Sequence, residues 1–224
     1  MNPVENDPRD LKTIKKCILF EGLPDDELSL ALDFFSAEKK EYKKGDFIQT
    51  VLRPFERFGL VLSGEVRVYM DDIDGDNMIM ANVSAGDTFG ESLCLLSSES
   101  PVYVEAVTDA SVLLMSTFAL RSPGHCSERW QSYMLRFTSM LAKRTLAMND
   151  RIQVLSNISL REKIITFLSQ YRARAASLEF SIPFDRASMA VYLGTDRASL
   201  SRELSKMKSD GIIDYKKNHF IVKK

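Results

Sequence analysis

Between residues 195 and 208 the chain places Thr195, Arg197, Ser199, Ser201, Arg202, Lys206 and Lys208. Arginine presents a planar fork of donors that fits guanine O6 and N7. Hydroxyl and ammonium groups reach phosphate oxygens. This is recognition chemistry, and it requires an element that turns all of these groups to one side.

The surrounding residues supply that element. Met189, Ala190 and Leu193 give an apolar i, i+1, i+4 face on a first helix. Ala190 is small where two helices would cross. Gly194 stands where the chain must turn, at a C-cap position that favours positive φ. Thr195 or Asp196 then caps a second helix, whose buried stripe is Leu200, Leu204 and Met207. Arg197, Ser201 and Arg202 face outward. The spacing matches a helix-turn-helix, whose second helix lies in the DNA major groove with its N-terminal residues at base edges. An ordinary αα-corner with a solvated basic face has the same helix pair. The residues beyond the second helix favour the DNA-binding reading. Residues 211–222, GIIDYKKNHFIV, hold two apolar runs around Lys216-Lys217-Asn218 and read as a β-hairpin wing. Ser181–Phe184 is expected to add a short strand.

Charge is divided along the 224 residues. Residues 1–128 hold 12 Lys+Arg against 23 Asp+Glu, residues 129–180 hold 9 against 3, and residues 181–224 hold 9 against 5. An acidic front and a basic back fit a chain whose back half meets phosphates. The N-terminus lacks the basic and apolar regions of a secretory signal, and no stretch is long and apolar enough to span a membrane. Cys17, Cys94 and Cys126 are scattered with no metal-like spacing, and the two histidines, His125 and His219, are far apart. These features imply a reducing cytoplasm, no metal and no cofactor. A cupin-type enzyme would need a His/Glu metal cluster on its strands, and residues 1–124 contain no histidine.

The front half reads as a helix followed by strands. Asp25–Phe34 starts after Gly22-Leu-Pro24 with acids in its first turn. Strands are expected at Phe47–Ile48, Phe58–Leu62, Val66–Met70, Ile79–Val83, Val102–Val107 and Ser111–Met115. Turns fall at Lys44-Gly45-Asp46, Ser63-Gly64, Asp74-Gly75 and Ala85-Gly86-Asp87. Short strands with turn signals about every ten residues indicate a sandwich or roll.

From Glu128 to about Leu155 there is no Pro or Gly. Met134, Thr138, Leu141, Thr145, Met148, Ile152 and Leu155 alternate spacings of four and three, a heptad seam for pairing with a second helix. Trp130 and Phe137 lie off the seam and are expected to pack on the β domain. Arg144, Asp150 and Arg151 flank it and are expected to hold its register. The fold class is therefore α+β: an N-terminal antiparallel, jelly-roll-like β-roll (1–125), a dimerisation helix (126–156) and a C-terminal winged helix-turn-helix (157–224).

This order resembles the CRP/FNR family of transcriptional regulators. The motifs that carry the resemblance are LFEGLPDDEL at 19–28, YKKGD at 42–46, VLSGEV at 61–66 and AGDTFGE at 85–91. It covers essentially the whole chain. It implies a homodimer on dyad-symmetric double-stranded DNA, with RNA polymerase as an open further partner. AGDTFGE resembles the start of the phosphate-binding cassette of cyclic-nucleotide-binding domains. There a Gly-Glu pair is followed about ten residues later by an Arg that pairs with the cyclic phosphate. Here Gly90-Glu91 is followed by Ser98-Glu99-Ser100-Pro101, and no Arg or Lys lies between Arg67 and Arg121. A buried phosphate without a cation is costly, so the effector is expected not to be cAMP. Glu91 alone also fits a retained turn or cap acceptor.

By the same resemblance the effector positions are Gly90, Glu91, Ser92 and Leu93, with Met148 and Asn149 on the long helix. A haem or redox sensor of the family is an alternative, with Cys94 and His125 as available ligands. One N-terminal cysteine, Cys17, is too few for a four-thiolate cluster. A constitutive regulator with a vestigial, unliganded roll is a second alternative. In the recognition helix, the family pattern Arg-Glu-x-x-Ser/Gly-Arg becomes Arg197-Ala198-Ser199-Leu200-Ser201-Arg202. The resemblance assigns Arg202 to guanine. It removes the cytosine acceptor at Ala198, which instead suits a thymine methyl. Thr195 and Ser199 suit phosphates.

Overall fold

The computed structural model describes residues 7–71, 77–122 and 127–223. The turn expected at Asp74-Gly75, together with His125 and Cys126, lies outside them. The chain divides into two compact units, Met1–Leu141 and Ala142–Lys224.

The first unit opens with α1 (Pro8–Ile14) and α2 (Asp25–Phe34). The strands β1 (Glu38–Tyr42), β2 (Phe47–Gln49), β3 (Phe58–Ser63), β4 (Glu65–Asp71), β5 (Asn77–Ser84) and β6 (Thr88–Phe89) follow. Then come α3 (Glu91–Leu96), β7 (Tyr103–Ala106), β8 (Ala110–Met115) and α4 (Phe118–Arg121). Two antiparallel four-stranded sheets form, in the orders β1-β8-β3-β6 and β2-β7-β4-β5. Crossing from sheet to sheet along the chain gives the roll. β8 is buried along its whole length because it is central in its sheet, between β1 and β3. β1 has the sequence EKKEY, with no apolar alternation, so the strand pattern does not reveal it. It exists because β8 offers a complete ladder to pair with, and its charges suit an edge strand. Lys39 also reaches Asp10 of α1 at 2.7 Å.

α5 (Glu128–Leu155) matches the expected long helix, and its first half belongs to this unit. Tyr133, Phe137 and Met140 recur at i, i+4, i+7 and are buried in the roll core. Phe137 stacks on Phe35 at 6.3 Å and meets Phe58 edge-on at 5.6 Å. Trp130 Nε1 donates to the Ala119 carbonyl. The two off-seam aromatics thus do pack on the β domain, with Tyr133 and Met140 completing the stripe.

The second unit contains the rest of α5, then α6 (Leu160–Ala175), β9 (Glu179–Ser181), α7 (Arg186–Leu193), α8 (Arg197–Ser209), β10 (Ile213–Lys216) and β11 (His219–Val222). α6 starts at a complete capping box, Ser159 with Glu162. β9 falls two residues before the expected strand and shares only Ser181 with it, since Pro183 has no N–H for a ladder. The three strands form a sheet in the order β10-β11-β9. Among the described residues no helix is long and apolar enough to cross a membrane.

Replacing Phe137 by Ala should lower the unfolding free energy of the first unit by about 3–5 kcal/mol. Urea denaturation followed by near-ultraviolet circular dichroism measures this. A loss below about 1 kcal/mol would mean the α5 stripe does not anchor the roll.

Candidate nucleic-acid interface

α7 and α8 are set by three local devices. Asp185 and Asp196 are the N-caps, accepting from the backbone N–H of Ser188 and Ser199 at 2.7 and 2.8 Å. Gly194 ends α7 at φ 65°, ψ 44°, and Thr195 N–H returns to the Ala190 carbonyl. That left-handed geometry favours glycine, and a side chain there would meet Leu155 only at van der Waals distance. Met189, Ala190 and Leu193 of α7 are buried together with Leu200, Leu204 and Met207 of α8.

Burial of that stripe leaves Arg197, Ala198, Ser201 and Arg202 exposed on one side of α8. Thr195 and Ser199 border them, half-buried. Arg202 donates to the Ser199 hydroxyl at 3.0 Å, which extends it along the exposed side. The wing hairpin turns at Lys217-Asn218, and the side chains of Lys216 and Lys217 are exposed. Arg197 of α8 lines one surface cavity together with Lys217 and Asn218 of the wing.

Two further arginines were not legible in the sequence. Arg161 of α6 pairs with Glu203 at 2.5 Å and with Asp210 at 2.7 Å, clamping the back of α8. Arg186 opens α7 and donates to the Lys217 carbonyl. Burial holds its guanidinium below the ordinary arginine value. Their partners lie far along the chain, so no local signal could reveal them.

The roll positions are equally definite. Gly90 is left-handed at φ 80°, and the Phe55 ring occupies the space a side chain would need. Glu91 is buried and accepts from the Thr88 hydroxyl. Ser92 is exposed, and Leu93 packs against the core. Where the resemblance would place an arginine, Ser100 is buried and its hydroxyl donates to the Val102 carbonyl at 2.7 Å. The loop around it is backbone-bonded to Leu52, Arg53 and Phe55. Cys94 is buried, with its thiol 3.2 Å from the Glu56 carbonyl. Burial pushes the Cys17 thiol up to about 11. Among the described residues no cluster of three or more His, Cys, Asp or Glu could hold a metal.

Met134 and Leu141 of the heptad seam are half-buried against the roll core, and Thr138 and Thr145 are exposed. In the second unit Met148 and Ile152 are each 60% exposed and Leu155 38%, and Asn149 is also exposed. Asp150 and Arg151, expected to flank the seam, also have partners within the chain. Asp150 pairs with Arg174, and Arg151 lies over the Tyr192 ring at 5.7 Å. Both are engaged by α6 and α7, which offer them partners within the same chain.

Known proteins share this organisation. A cyclic nucleotide-binding domain matches residues 39–122, and a Crp-like helix-turn-helix domain matches residues 162–224. The cyclic AMP receptor protein of Thermus thermophilus is 26% identical over 197 residues, covering 87% of each chain. The nitrogen fixation regulation protein FixK of Bradyrhizobium diazoefficiens is 27% identical over 158 residues, 68% of this chain and 64% of that one. The Thermus thermophilus catabolite activator protein structure aligns with a TM-score of 0.51 at 23% identity, over 92% of this chain and 93% of that chain. A roll of the cyclic-nucleotide-binding type ahead of a Crp-like helix-turn-helix defines a DNA-binding transcriptional regulator. The chain belongs to the CRP/FNR family.

Hydrogen bonding from Ser199 holds the Asp196 carboxyl below its ordinary value, and Ser188 does the same for Asp185. The stabilisation from these caps is therefore present above the unfolded carboxylate value, about 3.9. It is lost as pH falls through the lower folded value. Asp196→Ala should lower the melting temperature of the second unit at neutral pH. Asp196→Asn should keep the cap and weaken the acid dependence. Thermal melts from neutral pH down through the carboxylate range test this, and identical acid profiles for wild type and Asp196→Asn would contradict it.

Proposed function

We propose that this regulator acts as a homodimer that reads a dyad-symmetric operator through Arg197, Ala198, Ser201 and Arg202. We further propose that it is gated by a small effector other than cAMP. The observation that carries the reading is the exposed side of α8, where these four residues share one helix face and Arg197 borders a cavity with Lys217 of the wing. Paired recognition helices read half-sites about one helical turn apart, which requires two copies. The exposed apolar side chains of Met148, Ile152 and Leu155 suit the seam of such a pair. Arg202 is assigned to guanine O6 and N7, and Ala198 to a thymine methyl. Thr195, Ser199, Lys206, Lys208, Lys216 and Lys217 are assigned to the backbone, where they add salt-dependent affinity.

The roll argues against a cyclic phosphate. Residues 68–120 contain no Arg or Lys, and Ser100 is committed to the backbone of Val102. The Thermus relative is named for cyclic AMP, but the stretch that would carry the phosphate-pairing arginine has no Arg or Lys here. Gly90, Glu91, Ser92 and Leu93 of the roll remain the proposed effector positions. The effector would shift how the paired helices present the two winged domains. The same missing cation favours a second reading, a constitutive DNA-binding regulator whose roll has lost its ligand.

Arg202→Ala should cost about 1–3 kcal/mol per half-site and relax preference at one guanine. Operator selection followed by binding isotherms measures this. Equal weakening on every sequence would make Arg202 a phosphate contact. Isothermal calorimetry with cAMP should show no binding at micromolar concentrations. A sub-micromolar dissociation constant would overturn the effector assignment. Operator binding by the apo protein, compared with protein carrying co-purified small molecules, separates the gated reading from the constitutive one.

A further inference from the structure

Arg186 is the first residue of α7, and a side chain of this type is mostly exposed in folded proteins. It is instead half-buried and engaged on several sides. Its Nη2 donates to the Lys217 carbonyl at 2.7 Å. Its guanidinium carbon lies 4.9 Å from the Tyr215 ring centre and 5.3 Å from that of Phe220. At these distances a cation is attracted to the ring faces. Tyr215 in turn meets α8: its hydroxyl is 3.4 Å from Ser205 Oγ, and Lys208 Nζ is 5.5 Å from its ring. The wing turn is thus tied, through one aromatic ring and one arginine, to both helices of the motif.

The turn itself is fastened at a second point. Lys217 has a left-handed backbone, φ 55°. The next residue, Asn218, donates from its side chain to the Ile182 carbonyl, and its own carbonyl accepts from the Ile182 N–H. Its neighbours Lys216 and Lys217 keep their side chains in solvent. A turn anchored by main-chain carbonyls, with exposed lysines on it, presents charge in one fixed direction.

We propose that Arg186 is a positioning residue. Through Tyr215 and the Lys217 carbonyl it locks the wing to α8 and so aims Lys216 and Lys217 at the DNA backbone, without itself touching DNA. The proposal rests on the reading of the wing lysines as phosphate contacts.

The test is the salt dependence of full-length protein binding to a mixed-sequence duplex. The Lys216→Ala/Lys217→Ala double variant should reduce the slope of log K against log salt by about 1.8 per wing. Arg186→Ala and Tyr215→Ala should each reduce it comparably. Adding Arg186→Ala to the double lysine variant should change nothing further, the non-additivity expected of a residue acting through others. Arg186→Lys, which keeps a cation over the rings, should retain more of the slope than Arg186→Ala. A further loss of about 0.9 per wing in the double lysine background would show a phosphate contact by Arg186 itself and overturn the proposal. A wild-type slope for Arg186→Ala would overturn it as well. If the lysine double variant binds like wild type, the wing reading fails and the proposal falls with it. Thermal melts identify any variant that does not fold, and if Arg186→Ala is one, Tyr215→Ala and Arg186→Lys decide on the same slopes.

Discussion

Leu200, Leu204 and Met207 lie on one side of α8 and are completely buried. Side chains at i, i+4 and i+7 share a helix face, so burying these three fixes the rotation of the helix about its axis. That rotation alone decides that Arg197, Ser201 and Arg202 point away from the protein. A turn of the helix by one residue would bury charge and expose leucine, at a cost of several kcal/mol. The rest of the second unit supports this one constraint. Met189, Ala190 and Leu193 supply the opposing face, Phe167 and Phe220 close the core, and Gly194 lets α7 end where α8 must begin.

Apolar burial sets rotation but not every degree of freedom. Sliding of α8 along its axis is limited by charge. Arg161 holds Glu203 and Asp210, about two turns apart on the helix, from behind. Lys208 pairs with Asp214 at 2.5 Å, joining the end of α8 to the wing. On the other side, Asp196 fixes the helix start through its cap. Partly screened ion pairs of this kind contribute modestly to stability, but their geometry restricts where the recognition side chains stand. In the first unit the comparable constraint is aromatic. Phe35, Phe58 and Phe137 interlock strand and helix, so that the first half of α5 is held to the roll.

Much of this was legible from local pattern. The bounds of α5 and α2, the glycine turns at 45, 64 and 86, and an N-cap for α8 at Thr195 or Asp196 follow from periodicity and turn chemistry that act within a few residues. The central strands were equally plain, because apolar alternation survives wherever one face is buried. β1 was not, because its residues are charged and its stability is borrowed from β8. α3 and α4 are too short for a periodic signal. The expected strand at Ser181–Phe184 moved upstream because β11 pairs with Glu179, Phe180 and Ser181.

At the site, the sequence by itself determined which groups are available for recognition: two arginines and a serine on one helical face, an alanine where the family has glutamate, and no cation along residues 68–120. These are properties of residue identity and spacing, and folding cannot add or remove them. Only the tertiary structure decided what holds them in place. Arg161 meets a partner 42 residues away, Arg186 one 31 residues away, and Asp150 pairs with Arg174 of α6. Such pairings depend on which distant surfaces come within hydrogen-bond reach. Side chains so far apart along the chain leave no periodic mark, and only their meeting in the folded core gives them a role.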